Sequence, residues 1–413
     1  MLLHFCLIVV SAQTPQAPQA RLLEALQTNR LPLTMSDGRP AGPGWDLLVR
    51  EARNARFTLI GEEHGVAETA QLTSALYSTL RGAGYTRFAF ELSPPIAQDI
   101  EAAARRNGMQ GIEDLLRTPN LFTFYNLHEE ARLLADVVQA GPRNERVLWG
   151  FDREIFNDRY LISKLEPKVP PGARAAFARL KEASSNAWAQ NARTRNPDDM
   201  FILAADSGLV SALRAVWPNP DRESDAVLRT LEASLAIETA ERGGGAWPYM
   251  ERRARWGRDN FAALLRAKSP KILMKFGYNH MIRGANYFNS FDIGAMADEM
   301  AALTGDRAFH ILVLPGLGSR QAVLGGAGFG SVASDSVDEL RAGDQRLTRV
   351  LSNPNATGHE VIDLRPLRRL AMRGLESWNA DVVRTIHGYD AVVIWKGAHA
   401  ASGLTAPGPG PSR

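Results

Sequence analysis

Residues 57–65 read Phe-Thr-Leu-Ile-Gly-Glu-Glu-His-Gly, and the interpretation of the whole chain starts from this stretch. Its apolar and β-branched beginning is typical of a buried strand, and two carboxylates and an imidazole follow where that strand would end. Open α/β sheets bind ligands at the carboxyl ends of their strands. The stretch therefore predicts an α/β fold with a functional site that includes Glu62, Glu63 and His64.

A second stretch has the same form, because the apolar run at residues 272–276 leads into Gly277-Tyr278-Asn279-His280. A strand followed by Gly-x-x-His thus occurs twice in a chain with only eight histidines. We expect His280 to act as acid, base or ligand, with Asn279 and Arg283 close by. Residues three apart on a helix share a face, so Arg283 could bind an anionic oxygen beside His280. The alternative for Arg283 is an ion pair with an acidic neighbour such as Asp292.

Two further strands end in charged residues. Residues 87–92 (RFAFEL) end near Glu91, and residues 146–151 (RVLWGF) are followed by Asp152 and Arg153. The helical pattern at residues 67–82 joins the first strand to the second, which predicts a parallel pair of neighbouring strands. Glu91 would then approach the first motif, unless it forms a salt bridge or caps a helix. Asp152 and Arg153 would either orient a histidine or pair structurally.

The fold class predicted is α/β, with a largely parallel central sheet flanked by helices and a helical insertion at about residues 167–269. Additional strands are expected at residues 309–314 and 391–395, and residues 32–44 are expected to be loop. We divide the chain into a signal peptide (1–12), a linker with an N-terminal helix (13–43), the α/β domain (44–400) and a disordered tail (401–413).

The N-terminal segment predicts export. Residues 1–12 are apolar, too short for the roughly 20 residues that span a bilayer, and end in Val10-Ser11-Ala12, which suits signal cleavage. Cleavage would remove Cys6, the only cysteine, which suits a secreted or periplasmic protein. No membrane span is then expected. The 48 basic residues are dispersed and balanced by 45 acidic ones, so a nucleic-acid partner is not expected either.

The motif residues suit two kinds of chemistry. Glu62 and His64 would lie on the same face of a strand, where a carboxylate orients an imidazole as a general base acting on water. The set Glu62, His64, Glu91 and His280 could instead bind a divalent metal such as Zn, Mn or Fe. A serine hydrolase is disfavoured because the chain has no Gly-x-Ser-x-Gly, and its Gly-rich segments lack the lysine of a phosphate-binding loop.

Two helices could add groups to the site. His128 follows aromatic residues at the start of one helix and is a candidate for the substrate pocket. The helix at residues 247–268 carries Arg252, Arg253, Arg255 and Arg258, of which we expect Arg252 or Arg255 to turn towards the site. Such charge runs are otherwise solvated faces.

The motifs GEEHG, FAFEL, VLWGFD and KFGYNHMIRG, in this order, resemble the erythromycin-esterase-like, ChaN-like and Tiki/TraB superfamily. The helix RRARWGRDNFAALL is similar to the Arg- and Asn-bearing helix that erythromycin esterases place before the second motif. The resemblance implies a hydrolase that cleaves a small-molecule ester or a peptide amide. It implies that His64 is the general base, that Glu62 and Glu91 orient it, and that His280 is its partner.

This sequence departs from the esterase pattern at two places. Erythromycin esterases resemble Gly-Glu-x-x-His-Gly at the first motif, whereas one residue fewer separates Glu62 from His64 here. The arginine that esterases carry about nine residues later is replaced by Thr73. A macrolide lactone is therefore poorly supported as substrate. The alternatives are a haem- or iron-binding uptake protein that uses Tyr278 or His128, and a Tiki-like metal-dependent peptidase; the oligomeric state is left open.

Overall fold

The computed structural model describes residues 18–267, 270–323, 329–333, 351, 353, 355–373 and 380–404. Within this part of the chain one mixed sheet has nine strands, which are β1 (Arg30–Ser36), β2 (Arg39–Ala41), β3 (Phe57–Glu62), β4 (Tyr85–Phe90), β5 (Leu148–Gly150), β6 (Lys271–Gly277), β7 (Ala308–Leu314), β10 (His359–Asp363) and β11 (Ala391–Ile394). Their order across the sheet is β2-β1-β10-β11-β7-β3-β6-β4-β5. A separate hairpin pairs β8 (Ser319–Val323) with β9 (Phe329–Ala333).

The six strands from β11 to β5 are all parallel, whereas β10, β1 and β2 pair antiparallel at one edge. The expected α/β class with a largely parallel sheet is therefore confirmed. One expected pairing is wrong, because β3 and β4 are parallel but not neighbours. Strand β6 lies between them and pairs with both. A strand from a later part of the sequence can insert between two earlier strands, and a local sequence pattern does not reveal such an insertion.

Residues 32–44, expected to be loop, include most of β1 and all of β2. Only Leu33 of β1 is buried, and Pro32 and Pro40 interrupt the strand pattern in the sequence. Proline is tolerated in strands at the edge of a sheet, where these strands lie. The segment 13–43 is therefore more than a linker with a helix, since part of it completes the sheet. The expected signal peptide at residues 1–12 lies outside the described residues.

Helices cover both faces of the sheet. Those on the N-terminal side of the insertion are α1 (Pro18–Thr28), α2 (Pro43–Arg53), α3 (Ala67–Leu80), α4 (Pro94–Leu116), α5 (His128–Ala140) and α6 (Asp158–Leu165). As expected, the described residues of the insertion form helices: α7 (Arg174–Thr194), α8 (Phe201–Ala204), α9 (Gly208–Val216), α10 (Arg222–Gly244) and α11 (Ala246–Ala267). The remaining helices described are α12 (Tyr278–Met281), α13 (Ile293–Ala302), α14 (Arg368–Arg373) and α15 (Ala380–Gly388).

The central strands are buried on both faces, which explains their nearly continuous apolar sequences. Neighbouring residues of one strand enter different cores: Phe88 and Phe90 pack in one, and Ala89 between them packs in the other. A polar side chain in such a strand must therefore find a buried partner. Within the described part of the chain, no helix is long and apolar enough to cross a membrane.

Candidate functional site

The two Gly-x-x-His motifs meet at the carboxyl edge of the sheet. Strands β3 and β6 are parallel neighbours, and Glu62 lies opposite Gly277. A Cβ atom added to Gly61 would lie 2.9 Å from the Cα of Tyr278, and one added to Gly277 would lie 3.3 Å from Nε2 of His64. The glycine of each motif therefore makes room for the other motif, which is why both motifs begin with glycine.

Seven side chains of alternating charge form a continuous row across this edge, which we call the charge row. In order they are Glu130, Lys275, Glu62, His64, Glu91, Arg253 and Asp152. His64 stands at the centre, and each side of it carries a carboxylate, a cation and a second carboxylate. The row connects six elements of the fold, from α5 through the central strands to α11 and the loop after β5.

The two ring nitrogens of His64 face two different carboxylates at the centre of the row. Nδ1 lies 2.9 Å from Oε1 of Glu62, and Nε2 lies 3.2 Å from Oε2 of Glu91. Burial opposes charge on the imidazole, but the carboxylates of Glu91 and Glu62 outweigh burial and raise the pKa of His64 to about 10. At neutral pH the ring is therefore an imidazolium, with both nitrogens protonated. It also stacks on Phe124, with centroids 4.6 Å apart and planes 12° from parallel.

On one side of His64, Lys275 links Glu62 to Glu130. Its Nζ lies 2.5 Å from Oε1 of Glu62 and 2.8 Å from Oε1 of Glu130. Burial opposes ionisation of Glu62, but Lys275 and His64 outweigh it and lower the pKa of this carboxyl. Burial raises the pKa of Glu130 to about 7, and the charge of Glu62 adds to this, whereas Lys275 opposes it. Glu62 is therefore held as a carboxylate beside His64.

On the other side of His64, Arg253 links Glu91 to Asp152. One nitrogen, Nη2, lies 2.7 Å from Oε1 of Glu91 and 2.7 Å from Oδ2 of Asp152. The backbone N–H of Gly277 donates to Oε2 of Glu91 at 2.6 Å. Burial opposes ionisation of Glu91, but His280, His64 and Arg253 outweigh it and hold the pKa of its carboxyl well below the usual value. Glu91 is therefore a fixed negative charge between the two histidines.

His280 differs from His64 in the partners of its ring. Its Nδ1 lies 2.7 Å from Oδ2 of Asp292, whose other oxygen accepts from the N–H of Ile293 at the start of α13. Its Nε2 lies 3.5 Å from Oε1 of Glu91, which is longer than an ordinary N–H···O hydrogen bond. A cavity of about 10 Å³ lined by His280, Asp292, Arg253 and apolar neighbours adjoins the ring. This is room for about one water molecule.

Several predicted residues lie beside the charge row rather than in it. Glu63 pairs with Arg320 of β8 at 3.5 Å, and Oδ1 of Asn279 accepts from the backbone N–H of Tyr287. Asp152, which was expected either to orient a histidine or to pair structurally, is itself the last member of the row and pairs with Arg253. These groups fix the surroundings of the site.

Two predicted arginines point away from the histidines. Arg153 donates from Nε to Glu238 of α10 at 2.6 Å. Arg283 follows α12, which ends at Met281, and pairs with Asp298 and Asp390 at 2.9 and 3.0 Å. It therefore does not share a helix face with His280. The expected alternative partner of Arg283, Asp292, holds His280 instead.

The arginine that α11 supplies is Arg253, and not Arg252 or Arg255, which are exposed. A helical pattern does not fix the buried face to a single residue, and the prediction fell one residue before and two residues after the correct arginine. His128 is half exposed and lines a cleft of about 440 Å³ between α3, α5 and the β1–β2 turn. Residues of the charge row do not line that cleft.

Five groups of the site were missed in the sequence: Lys275, Glu130, Asp292, Arg253 and Phe124. Lys275 carried a usable signal, because it interrupts an otherwise apolar strand, where an unpaired ammonium would be very costly. Asp292 was considered only as a partner for Arg283. Glu130 and Phe124 lie on a helix and a loop far from both motifs, and no local pattern marks them.

A divalent metal does not fit the site as it is arranged. Both ring nitrogens of His64 face carboxylates, and Lys275 and Arg253 already neutralise those carboxylates. A histidine that binds a metal must offer a free ring nitrogen, and each ring nitrogen of His64 already contacts a carboxylate. Among the described residues, no group of three or more His, Cys, Asp or Glu side chains is arranged to hold a metal ion. For the haem-binding alternative, the candidate residues were Tyr278 and His128. Tyr278 packs against Tyr287, and it does not line the cleft beside His128.

Three solved structures share this fold. A succinoglycan biosynthesis protein matches with a TM-score of 0.64 and 12% identity over 94% of this chain and 100% of its own. A protein from Bacillus cereus matches with a TM-score of 0.58 and 15% identity over 94% and 99%. An erythromycin esterase mutant in its open conformation matches with a TM-score of 0.55 and 13% identity over 88% and 95%.

The chain thus shares its fold with an erythromycin esterase and two further proteins of solved structure, and the expected resemblance is confirmed at the level of the fold. No family model matches the sequence. A search of curated proteins also found no match. At these identities the likeness concerns the architecture alone.

Proposed function

We propose that this protein is a hydrolase that activates water to cleave an ester or amide bond. The observation that carries the proposal is the meeting of two histidines in different environments at one edge of the sheet. His64 lies between two carboxylates, and His280 is held by Asp292. An acid–base pair needs one titratable group that accepts a proton and another that donates one, and different environments favour these opposite roles.

His280 is suited to accept a proton from water. An aspartate on Nδ1 fixes the tautomer and orientation of an imidazole and stabilises the imidazolium that forms. Nε2 of His280 has only the 3.5 Å approach to Glu91, so it is the ring nitrogen that can accept. Water bound there would lose a proton to Nε2 while its oxygen attacks the carbonyl carbon.

His64 is suited to donate. Its Nε2–H contacts Glu91 at 3.2 Å, a longer contact than those Glu91 makes to Arg253 and Gly277. That proton can therefore be redirected to the carbonyl oxygen, and then to the leaving alcohol or amine as the bond to carbon breaks. The products are a carboxylic acid and an alcohol or amine. Solvent restores the proton of His64 and removes the one held by His280.

This assignment reverses the role that the resemblance implied for His64. The resemblance implied a general base, whereas a pKa of about 10 favours a group that is already protonated at neutral pH. Glu62 and Glu91 keep their implied role of orienting and charging the site. The half-buried His64 and the neighbouring ring of Phe124 suit a small-molecule ester or a peptide as substrate.

The proposed function is tested by hydrolysis of 4-nitrophenyl butyrate. His64→Gln and His280→Gln should each reduce kcat by about 10²–10⁴-fold, the usual contribution of a positioned acid or base. His128→Gln is the matched control and should keep the wild-type rate, because His128 lines a different cleft. Full activity in both His64→Gln and His280→Gln would overturn the proposal.

Metal dependence is tested with the same substrate. Activity should survive dialysis against a chelator, because cations of the protein already neutralise the carboxylates of the site. Loss of activity on chelation, with recovery on adding Zn, Mn or Fe, would favour the metal-dependent alternative.

We also propose that the protein is exported, on the basis of the N-terminal sequence alone. Mass measurement of the mature N-terminus tests this proposal.

A further inference from the structure

Lys275 is buried beneath the catalytic groups. Its side chain is 1% exposed, and it rises from a strand whose neighbours Met274 and Phe276 are packed in a core. The three protons of its ammonium have three near oxygens, one of Glu62 and two of Glu130, at 2.5, 2.8 and 3.0 Å. The ring of Tyr125 covers it at 5.1 Å. No substrate can touch this lysine.

A contribution to folding stability does not explain well why Lys275 is buried between Glu62 and Glu130. Removing ions from water is costly, and a buried ion pair is often no more stabilising than apolar residues of the same volume. Here two carboxylates and one ammonium are buried together, and the imidazolium of His64 lies beside one of the carboxylates. The geometry around Glu62 indicates what the group does.

Lys275 and His64 share a single acceptor. Both donate to Oε1 of Glu62, while Oε2 of the same carboxylate is buried without a hydrogen-bond partner among the described groups. Without Lys275, His64 would be the only donor among the described groups that holds Oε1 of Glu62 in place. The carboxylate could then rotate and present Oε2 to a donor instead, so that Nδ1 of His64 would lose its fixed partner.

Glu130 holds Lys275 in place from the opposite side. Both of its oxygens contact Nζ, which directs the remaining proton of the ammonium at Glu62. Glu130 belongs to α5, outside the two motifs, so the helix is tied to the catalytic strand through this contact. Its neighbour Glu129 binds the backbone N–H of Ser402 and takes no part in the row.

We propose that Lys275, held by Glu130, is a positioning residue that fixes Glu62 so that Glu62 orients His64 for hydrolysis. This inference rests on the proposed function, and it adds two residues, Lys275 and Glu130, that lie outside both Gly-x-x-His motifs. Lys275 acts through Glu62 and His64 and not on the substrate. Its loss should therefore lower kcat and leave KM nearly unchanged.

The test compares Lys275→Met, Glu130→Gln and the double variant K275M/E130Q, using 4-nitrophenyl butyrate and thermal unfolding. Lys275→Met should lower kcat about 100-fold with KM within about twofold, a loss at the low end for a positioned acid or base. Lys271→Met and Glu129→Gln are the controls, because they remove the same charges nearby without touching the row.

The double variant separates positioning from stability. Lys275→Met alone leaves Glu130 without its cation, whereas K275M/E130Q removes both charges, so its melting temperature should rise above that of Lys275→Met. We expect kcat to stay low in the double variant, because Glu62 still lacks its lysine. Recovery of kcat together with stability would overturn the inference.

A crystal structure of K275M/E130Q supplies a result that needs no substrate. We expect the 2.9 Å contact between Nδ1 of His64 and Oε1 of Glu62 to be lost or to vary between copies. An unchanged contact would overturn the positioning role. By contrast, full activity of both His64→Gln and His280→Gln would overturn the proposed function while leaving this structural result in place, so the two failures are distinguishable.

Discussion

The two Gly-x-x-His motifs have the same sequence form and different surroundings. His64 is 22% exposed in its side chain, stacks on Phe124 and has a carboxylate at each ring nitrogen. His280 is 9% exposed, has Asp292 at one nitrogen and only a long approach to Glu91 at the other. The first environment favours a proton donor and the second suits an acceptor.

The difference teaches that the motif supplies the position of a histidine but not its role. Both histidines follow parallel neighbouring strands, so both must reach the same edge of the sheet. What they become there depends on partners from other elements: Glu62 and Glu91 for His64, and Asp292 for His280. The comparison is open to test by changing one partner at a time.

The largest effect is expected for Glu91→Gln, because Glu91 faces both histidines. The change keeps the shape of the side chain and removes the charge that lies 3.2 Å from one ring and 3.5 Å from the other. We expect kcat to fall about 10³-fold, within the range for loss of a positioned charge in an active site. Steady-state kinetics checks this, and a loss smaller than fivefold would show that the two histidines do not work through Glu91.

Asp292→Asn should affect His280 alone. Asparagine caps a helix as well as aspartate does, so α13 should keep its N-terminus and the melting temperature should change little. An amide cannot stabilise the imidazolium and can select the wrong tautomer, so kcat should fall about 100-fold. Asp298→Asn is the control, because Asp298 pairs with Arg283, and it should leave kcat near the wild-type value. Equal losses in both variants would contradict the special role of Asp292.

The pH dependence sharpens the assignment of roles. Burial lowers the pKa of His64, the charge of Glu91 opposes it most strongly, and the result is a pKa of about 10. If His64 donates a proton, the alkaline limb of the pH profile should begin near pH 10, with kcat falling about tenfold for each pH unit above it. In Glu91→Gln the fall should begin at lower pH, because the raising charge is gone. A rate that increases through pH 10 would identify His64 as the base instead.

The smallest effects are expected at the two glycines, and they should differ in kind. A Cβ on Gly61 would meet the hydroxyl of Tyr389 at 2.7 Å and the backbone of Tyr278 at 2.9 Å, so Gly61→Ala should cost about 1–3 kcal/mol of stability. A Cβ on Gly277 would meet side chains of the site, with Glu91 and His64 each at 3.3 Å and His280 at 3.8 Å. Gly277→Ala should therefore lower kcat about tenfold with little change in melting temperature. Denaturant unfolding and kinetics of both variants check this contrast, which fails if both lose mainly stability.

Much of the fold could be predicted from the sequence because its signals are local. Apolar runs that end in charged residues predicted the central parallel strands and the edge at which Glu62, His64, Glu91 and His280 gather. Strands β1 and β2 were missed, since prolines and exposed residues hide an edge strand. The insertion of β6 between β3 and β4 was also missed, because spatial order depends on packing over long separations in the chain.

For the site, the sequence by itself determined which motif side chains reach the carboxyl edge, because a strand carries its direction and periodicity in its own residues. Only the tertiary structure decided their charges and partners. Lys275, Glu130, Arg253 and Asp292 come from different strands, helices and loops, and the pKa values of Glu62, His64 and Glu91 depend on the charges that folding brings beside them. A pKa is set by the electrostatic environment, and that environment exists only when the chain has folded.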